Sequence, residues 1–266
     1  MAPPRCLRLA GYTSAAATAA GGGVDPMATR QRIGVMVPST NTTCEADFQM
    51  VVPRGFTVHG QRLWLTNDDL GEAGMVRMNG EIESGARYLA TAHVDAISYG
   101  CTTGSFFKGP GWDHEMIALI EETAKVPAVA TSPAVVEALR RFGARRLSVA
   151  TPYPEWNNQR LRAYLTTQGF EVVNLEAEPT AACAGNQGIN DQDPSVIVEF
   201  ASRACRPDAD ALLCSCTAWR SVEAVEEIER RVGKPVVTSN QASIWMTLRR
   251  LGHSAPIPGF GRLLRA

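Results

Sequence analysis

The feature that most constrains the fold of this chain is an internal repeat. DAISYGCTTG (95–104) and DALLCSCTAW (210–219) share an Asp-Ala start, an apolar run and a Cys-Thr pair at a constant offset. Colinear matches at nearly one offset indicate two copies of one structural unit. The further matches, in the same order, are RIGVMVP (32–38) with RLSVATP (146–152), GFTV (55–58) with GFEV (169–172), and IEETAKVPAVATS (120–132) with IERRVGKPVVTS (228–239).

Each copy alternates short apolar runs with longer amphipathic segments. The runs 33–37 and 147–151 predict strands, each followed by a helix of about a dozen residues. Pro-initiated strands at 127–130 and 235–238 precede helices with a basic last turn and a closing Gly. Strand–helix alternation predicts parallel sheets covered by helices. We therefore expect an α/β protein of two pseudo-symmetric Rossmann-like halves, with the ligand cleft between them at the carboxyl ends of the strands.

The repeat also predicts the domain organisation. The first copy gives an N-terminal half over 31–143, and the second gives a C-terminal half over 144–266. Residues 1–30 are rich in Ala, Gly and Pro and lack periodicity, which predicts a disordered extension. A targeting peptide is the alternative interpretation, and Met27 is an alternative start.

Composition excludes several classes of function. The net charge of -1 gives no basic patch for nucleic acid, and no apolar run is long enough to span a membrane. Seven scattered cysteines do not form a secreted disulfide framework, so we expect a cytoplasmic protein with free thiols. None of the four histidines is spaced as a metal pair, so no metal site is predicted. A homodimer is the default oligomer.

Two cysteines are the principal candidates for catalysis. Cys101 and Cys216 follow equivalent strands, so two halves around a pseudo-twofold axis would place both thiols at one cleft. Helix N-termini and backbone N–H groups nearby are expected to lower the pKa of both thiols. Cys214 is predicted to belong to the core. The remaining cysteines have no such arrangement and are interpreted as structural or incidental: Cys6, Cys44, Cys183 and Cys205.

Polar segments beside the same strand ends supply further candidates. In PSTNTTCE (38–45), Ser39 and Asn41 could cap a helix, point into the cleft, or do both. The second copy, TPYPEW (151–156), offers the Tyr153 phenol to a carboxylate unless the ring merely packs. The threonines that follow the two cysteines, Thr102 and Thr217, supply hydroxyl groups.

Two other candidates come from loops. AGNQGINDQDP (184–194) is predicted to be a polar loop in which Asn186 or Asn190 could line the cleft. His114 is either an acid/base group or, the more common case, a solvated residue at a helix start.

Six segments together resemble one known superfamily: PSTNTTCE, YGCTTGSF, TPYPEW, GNQGINDQDP, LCSCTAW and KPVVTSNQA. Over residues 31–266 they are similar to the aspartate/glutamate racemase superfamily, and most similar to maleate cis–trans isomerases and arylmalonate decarboxylases. The resemblance implies two α/β halves, an active site between them and no cofactor.

The resemblance also implies roles for individual residues. Cys101 and Cys216 match the cysteines of the two halves, and Asn41, Tyr153 and Asn186 match residues that bind substrate carboxylate. The decarboxylases have Gly where Cys101 stands, so a second thiol favours an isomerase or racemase. The chain departs from the isomerases at residues 102–104 and 217–219, which are expected to shape the pocket wall.

The expected function is cofactor-independent isomerisation of a small carboxylic acid, with maleate to fumarate as the first candidate. Cys101 would add to the alkene as thiolate, and Cys216 would supply a proton. A two-base racemase that uses the same thiols is an alternative. Decarboxylation of a disubstituted malonate and a non-catalytic small-anion binding protein are the others.

Overall fold

The computed structural model of the protein describes residues 30–265, so residues 1–29 of the predicted N-terminal extension lie outside the described residues. Within this range the chain forms two four-stranded parallel sheets flanked by helices, which confirms the predicted α/β class. The first sheet contains β1 (Gln31–Pro38), β2 (Phe56–Leu63), β3 (Ala96–Tyr99) and β4 (Ala128–Ala130). The second contains β5 (Arg146–Thr151), β6 (Glu171–Ala177), β7 (Ala211–Cys214) and β8 (Val236–Thr238).

The two sheets have the same topology. Their strand orders are β2-β1-β3-β4 and β6-β5-β7-β8, so each strand of one copy has a counterpart in the other. The Asp that begins both repeated segments makes the same hydrogen bond in each half. Asp95 accepts a hydrogen bond from the backbone N–H of Arg32 at 2.6 Å, and Asp210 accepts one from that of Arg146 at 2.8 Å. Each carboxylate therefore fixes the start of the first strand of its own sheet.

Helices connect the strands and cover both sheets. The N-terminal half contains α1 (Cys44–Val51), α2 (Glu72–Gly80), α3 (Ile82–Thr91), α4 (Thr102–Phe106), α5 (Trp112–Ala124) and α6 (Thr131–Arg141). The C-terminal half contains α7 (Glu155–Thr167), α8 (Gly185–Asp191), α9 (Pro194–Ala204), α10 (Ser221–Val232) and α11 (Ser239–Arg250). The equivalent helices α6 and α11 pack against each other between the halves.

Side-chain alternation along the strands distributes the core over two clusters. Ile33, Val35 and Val37 of β1 face one large buried cluster that continues into the C-terminal half. Met36 points to the opposite face and joins a smaller cluster under α2, α3 and α5. The predicted boundary at 143/144 falls between α6 and β5, but the larger cluster crosses it, so the halves share one core.

Two local predictions are wrong. The helix after β1 was expected to have about a dozen residues, but α1 has eight, and Val52 is extended before Pro53, as a residue preceding proline prefers. The segment predicted to be a polar loop forms α8. Asn190 donates from this helix to the carbonyl oxygen of Thr40 at 2.9 Å, so tertiary contacts outweigh its low helix propensity.

Candidate active site

A pocket of about 300 Å³ lies between the halves at the carboxyl ends of β1, β3, β5 and β7. This volume is at the lower end of the range for small-molecule sites, about 300–1,000 Å³. Both cysteine segments line it: Cys101 with the two threonines that follow, and Cys216 with Thr217 and Ala218. The geometry therefore exposes one small ligand to thiols from opposite halves.

Cys101 sits directly after β3 and caps the first turn of α4. Its sulfur accepts a hydrogen bond from the backbone N–H of Gly104 at 3.3 Å, and only 6% of the residue is exposed. Burial raises the pKa of the Cys101 thiol to about 11, because a thiolate loses its hydration there; the N–H of Gly104 and the phenol of Tyr99 offset only part of this.

Cys216 follows β7 in the equivalent position. Its sulfur accepts a hydrogen bond from the backbone N–H of Ala218 at 3.4 Å. Burial raises the pKa of Cys216 to about 12, while that N–H and the phenol of Tyr153 lower it in part. The prediction that helix N-termini lower both thiol pKa values is therefore wrong in direction. The N–H groups act as expected, but desolvation is the larger effect.

Asn41 links the two halves at the floor of the pocket. Its Oδ1 accepts from the backbone N–H groups of Thr43 and Cys44 at 3.0 and 2.9 Å, which holds the start of α1. Its Nδ2 donates to the Thr217 hydroxyl at 3.1 Å, beside Cys216. Asn41 therefore both holds the start of the helix and lies in the pocket, which is one of the alternatives predicted from the sequence.

Tyr153 and Thr102 lie near both thiols. Tyr153 is 8% exposed, lines the pocket and interacts through its phenol with Cys216 and Thr102. Burial raises the pKa of this phenol, so it stays protonated and can donate a hydrogen bond. Thr102 lines the pocket and donates to the Ser239 hydroxyl at the start of α11, at 3.0 Å.

Asn186 reaches the pocket from α8. Its Nδ2 donates to the Thr40 hydroxyl at 2.7 Å, and its backbone N–H donates to Oδ1 of Asn67 at 3.1 Å. Both bonds join α8 of one half to loops of the other. Gly185, at a positive φ of 61°, permits the close approach, because an added Cβ would lie 2.8 Å from Oδ1 of Asn67.

A buried carboxyl group is connected through hydrogen bonds to the segment that contains Cys216. Asp47 of α1 accepts a hydrogen bond from Nδ2 of Asn240 at 2.7 Å, and the same amide donates to the carbonyl oxygen of Thr217 at 2.9 Å. Asp47 is 2% exposed, and burial raises its pKa to about 8. No sequence pattern indicated this pair, because an Asp in the first turn of a helix is usually interpreted as a solvated charge.

The structure places the other candidates away from the pocket. The Ser39 hydroxyl is engaged by Leu65, donating to its carbonyl oxygen at 2.8 Å and accepting from its N–H at 2.9 Å. Ser39, His114 and Asn190 are absent from the pocket lining. Asn190 lies behind it instead, where Oδ1 accepts from Thr42 at 3.1 Å. Cys214 is fully buried in the shared core, as predicted.

An apolar wall of this pocket was not predicted from the sequence. We use this term for Leu65, Leu70, Met75, Trp156 and Ile189, which come from segments other than the two cysteine loops. Trp156 is the last residue of TPYPEW, the segment that the repeat aligned with PSTNTTCE, so this alignment could have identified it. Nothing distinguishes Leu70 or Met75 from ordinary core residues of an amphipathic helix.

Two other kinds of site are not found in the described part of the chain. Among residues 30–265, no three His, Cys, Asp or Glu side chains cluster so that they could hold a metal ion. No helix in that range has the length and apolarity needed to cross a bilayer.

Comparison with known proteins agrees with this architecture. Residues 33–264 match the model of the arylmalonate decarboxylase family, Amdase. A maleate isomerase of Nocardia farcinica is 30% identical over 245 residues, covering 88% of this chain and 96% of the relative. An arylmalonate decarboxylase of Bordetella bronchiseptica is 32% identical over 181 residues, covering 67% of this chain and 74% of the relative.

A solved structure gives the same result in three dimensions. A Cys-to-Ser mutant of the Nocardia farcinica maleate cis–trans isomerase, with a covalently bound succinylcysteine intermediate, superposes with a TM-score of 0.82. The two proteins are 28% identical, and the alignment covers 88% of this chain and 98% of the other. Fold, matched segments and relatives together show that this chain belongs to the arylmalonate decarboxylase family, within the aspartate/glutamate racemase superfamily.

Proposed function

We propose that this protein is a cofactor-independent cis–trans isomerase of small cis-enedioates such as maleate, with Cys101 and Cys216 as its catalytic residues. The observation that carries the proposal is the convergence of both thiols on one pocket from equivalent positions in the two halves. The succinylcysteine intermediate of the Nocardia farcinica isomerase supports a covalent route.

Neutral donors would bind the substrate carboxylates. Asn41, Tyr153 and Asn186 line the pocket and carry amide or phenol N–H and O–H groups. Thr102 and Thr217 line the same pocket and add two hydroxyl groups. Because these donors are held by the contacts described above, they hold the alkene against the sulfurs with little loss of side-chain entropy on binding.

The reaction proceeds by addition, rotation and elimination. Cys101 releases its proton to solvent water and its sulfur bonds to one alkene carbon, while the π electron pair moves onto the neighbouring carbon and its carboxylate. Cys216 donates a proton to that carbon, and the C–C bond, now single, rotates. Cys216 then removes a proton from that carbon, the C–S bond breaks, the trans alkene leaves, and the Cys101 thiolate regains a proton from water. Covalent catalysis replaces one high barrier to π rotation with lower ones.

The two thiols affect each other's protonation. Burial raises the pKa of both, to about 11 for Cys101 and about 12 for Cys216, and the charge of an ionised Cys101 contributes to the rise at Cys216. Once Cys101 is ionised as the nucleophile, its charge holds Cys216 in the protonated form that an acid requires.

The test is proton NMR of reduced protein with maleate, without added metal or cofactor. We expect a fumarate signal that is lost in Cys101→Ala and Cys216→Ser. Cys183→Ser is the matched control, because Cys183 is exposed and lies outside the pocket lining. In Cys216→Ser, mass spectrometry should find maleate added to Cys101. Turnover retained by Cys101→Ala would sink the mechanism.

Decarboxylation of a disubstituted malonate is a second candidate, favoured by the Bordetella bronchiseptica relative and by the apolar wall. It would release CO₂ and leave maleate unchanged. Racemisation through the same two thiols would exchange an α-proton for deuterium with loss of optical activity. These readouts differ for each reaction, so one panel of substrates in D₂O separates them.

We also propose that the protein acts as a homodimer in the cytoplasm. The six described cysteines are all free thiols, which suits a reducing compartment. Light scattering of the purified protein tests the dimer, since a monomer at micromolar concentration would contradict it.

A further inference from the structure

The apolar wall is chemically unsuited to a plain four-carbon dicarboxylate. Maleate carries a carboxylate on each alkene carbon and has no apolar substituent. Leu65, Leu70, Met75, Trp156 and Ile189 nevertheless line the same pocket as the two thiols. Maleate would leave these side chains against water or against a carboxylate, both of which are unfavourable for apolar surface.

The distribution of charged side chains around the pocket also favours a ligand with an apolar part. None of its lining residues carries a charged side chain. Two arginines on segments that contribute to the pocket are engaged elsewhere. Arg62 pairs with Glu45 and donates to the carbonyl oxygen of Asn41 at 2.8 Å, and Arg160 pairs with Glu72 and donates to that of Phe107 at 3.0 Å. The pocket therefore offers its ligand neutral hydrogen bonds and apolar contact.

The apolar wall is built from segments of both halves. Leu70 and Met75 come from the segment around the start of α2, while Trp156 and Ile189 come from α7 and α8. The contact of Asn67 with Asn186 at 3.1 Å and the Arg160–Glu72 ion pair tie these segments together. The apolar side chains are thus held over the pocket by contacts between halves.

We propose that the preferred substrate is a cis-enedioate bearing an apolar substituent on one alkene carbon, that is, a 2-alkyl- or 2-arylmaleate. This inference rests on the proposed function, whose steps it leaves unchanged. The Cys101 sulfur bonds to the unsubstituted carbon, the π pair moves to the substituted carbon and its carboxylate, and Cys216 protonates that carbon. Rotation, deprotonation by Cys216 and loss of the Cys101 thiolate give the 2-substituted fumarate. The substituent rests on the apolar wall throughout.

The experiment compares binding and turnover along one series. KM is measured by NMR for maleate and its 2-methyl, 2-ethyl and 2-n-propyl derivatives. Kd is measured by calorimetry for the corresponding saturated succinates, which cannot isomerise. We expect both constants to fall about fourfold per added carbon, or about 60-fold for propyl, from the hydrophobic transfer free energy of a methylene group.

Two variants test whether the apolar wall causes the expected fall in KM along the series. Leu70→Ser removes apolar surface from the wall at a half-buried position, so the maleate-to-propylmaleate KM ratio should fall about tenfold. Val76→Ser is the matched control, because Val76 lies in α2 shortly after Leu70, is 53% exposed and is outside the pocket lining. Its ratio should stay at the wild-type value. Each ratio is taken within one variant, so general losses of activity cancel.

The outcomes distinguish the two proposals. A KM that is lowest for maleate, with succinate binding as tightly as propylsuccinate, would overturn the substrate class and leave the isomerase intact. Absence of turnover for all maleates, with tight binding of propylsuccinate, would overturn the isomerase and retain an apolar subsite. Equal KM values along the maleate series would overturn the substrate class alone, whereas absence of turnover together with equal Kd values along the succinate series would overturn both.

Discussion

The buried carboxyl group of Asp47 should make the stability of this protein depend on pH in an unusual direction. The perturbation is Asp47→Asn, which keeps the shape of the side chain and removes its proton equilibrium. The new amide can still accept from Nδ2 of Asn240, and it gains an N–H that can donate to Oδ1 of Asn240, a buried atom without a hydrogen-bond partner. We therefore expect the variant to fold.

The magnitude follows from the pKa values. Burial raises the pKa of Asp47 from 3.8 to about 8; Glu223 adds to the rise, while Asn240 and Arg220 oppose it. Between these pH values the folded state retains a proton that the unfolded state has lost. The stability is thus complete below about pH 4 and is lost as pH rises, by about 1.4 kcal/mol per unit. Asn does not titrate, so the advantage of the variant should grow by about 2 kcal/mol from pH 6 to pH 8.

The assay is urea unfolding of both proteins at pH 6, 7 and 8 and constant ionic strength, followed by circular dichroism. Asp193→Asn is the control. Asp193 is an exposed helix cap whose pKa is lowered by its hydrogen bonds to Ser195, so it is ionised in both states over this range. Its free-energy difference should be independent of pH. A constant difference for Asp47→Asn as well would refute the reasoning, because the folded Asp47 would then be ionised at neutral pH.

Three further predictions concern the thiols and their supports. Because burial raises the pKa of Cys101 to about 11, kcat/KM should rise about tenfold per pH unit between pH 7 and 9; a flat profile would contradict a protonated resting thiol. Tyr153→Phe removes a donor beside Cys216 and should reduce kcat about 10- to 100-fold with an unchanged circular dichroism spectrum; full activity would exclude a role for the phenol. Gly104→Ala places a Cβ 2.0 Å from Oη of Tyr99, so unfolding free energy should fall by about 1–3 kcal/mol; an unchanged urea midpoint would show that Tyr99 can move.

The fold was predictable because its signals are local and occur twice. Apolar runs such as Ile33–Val37, with helical periodicity between them, predict parallel strands, and the repeat places equivalent strand ends together. Besides the length of α1, the local signal failed at α8. There the Gly- and Asn-rich sequence indicates a loop, whereas hydrogen bonds to Thr40 and Thr42 stabilise a helix. Those bonds cross from one half to the other, so no sequence window contains both partners.

The reactive groups of the site could be predicted from the sequence, but the environment that sets their pKa values could not. The Cys-Thr segments identify the thiols, but the direction of their pKa shift depends on burial by segments far away in sequence. The apolar wall was not predictable for the same reason. Leu70 and Met75 have the pattern of core residues, and only the packing of α2 and of the segment before it over the cleft places them at the pocket.

The hydrogen bonds that hold the Cys216 segment have a consequence for the order in which this protein forms. Asn41 donates a hydrogen bond to Thr217, Thr43 donates one to the carbonyl oxygen of Ala218 at 2.9 Å, and Asp47 accepts one from Asn240. The partners are separated by 175 to 193 residues in the sequence. Contacts across such separations carry a large entropy of loop closure and form late in folding. A chain emerging from the ribosome therefore completes the strand that carries Cys101 long before the second thiol is fixed opposite it. The two-thiol site therefore exists only once the halves have docked, so a nascent or partly folded chain lacks the geometry that the proposed reaction requires.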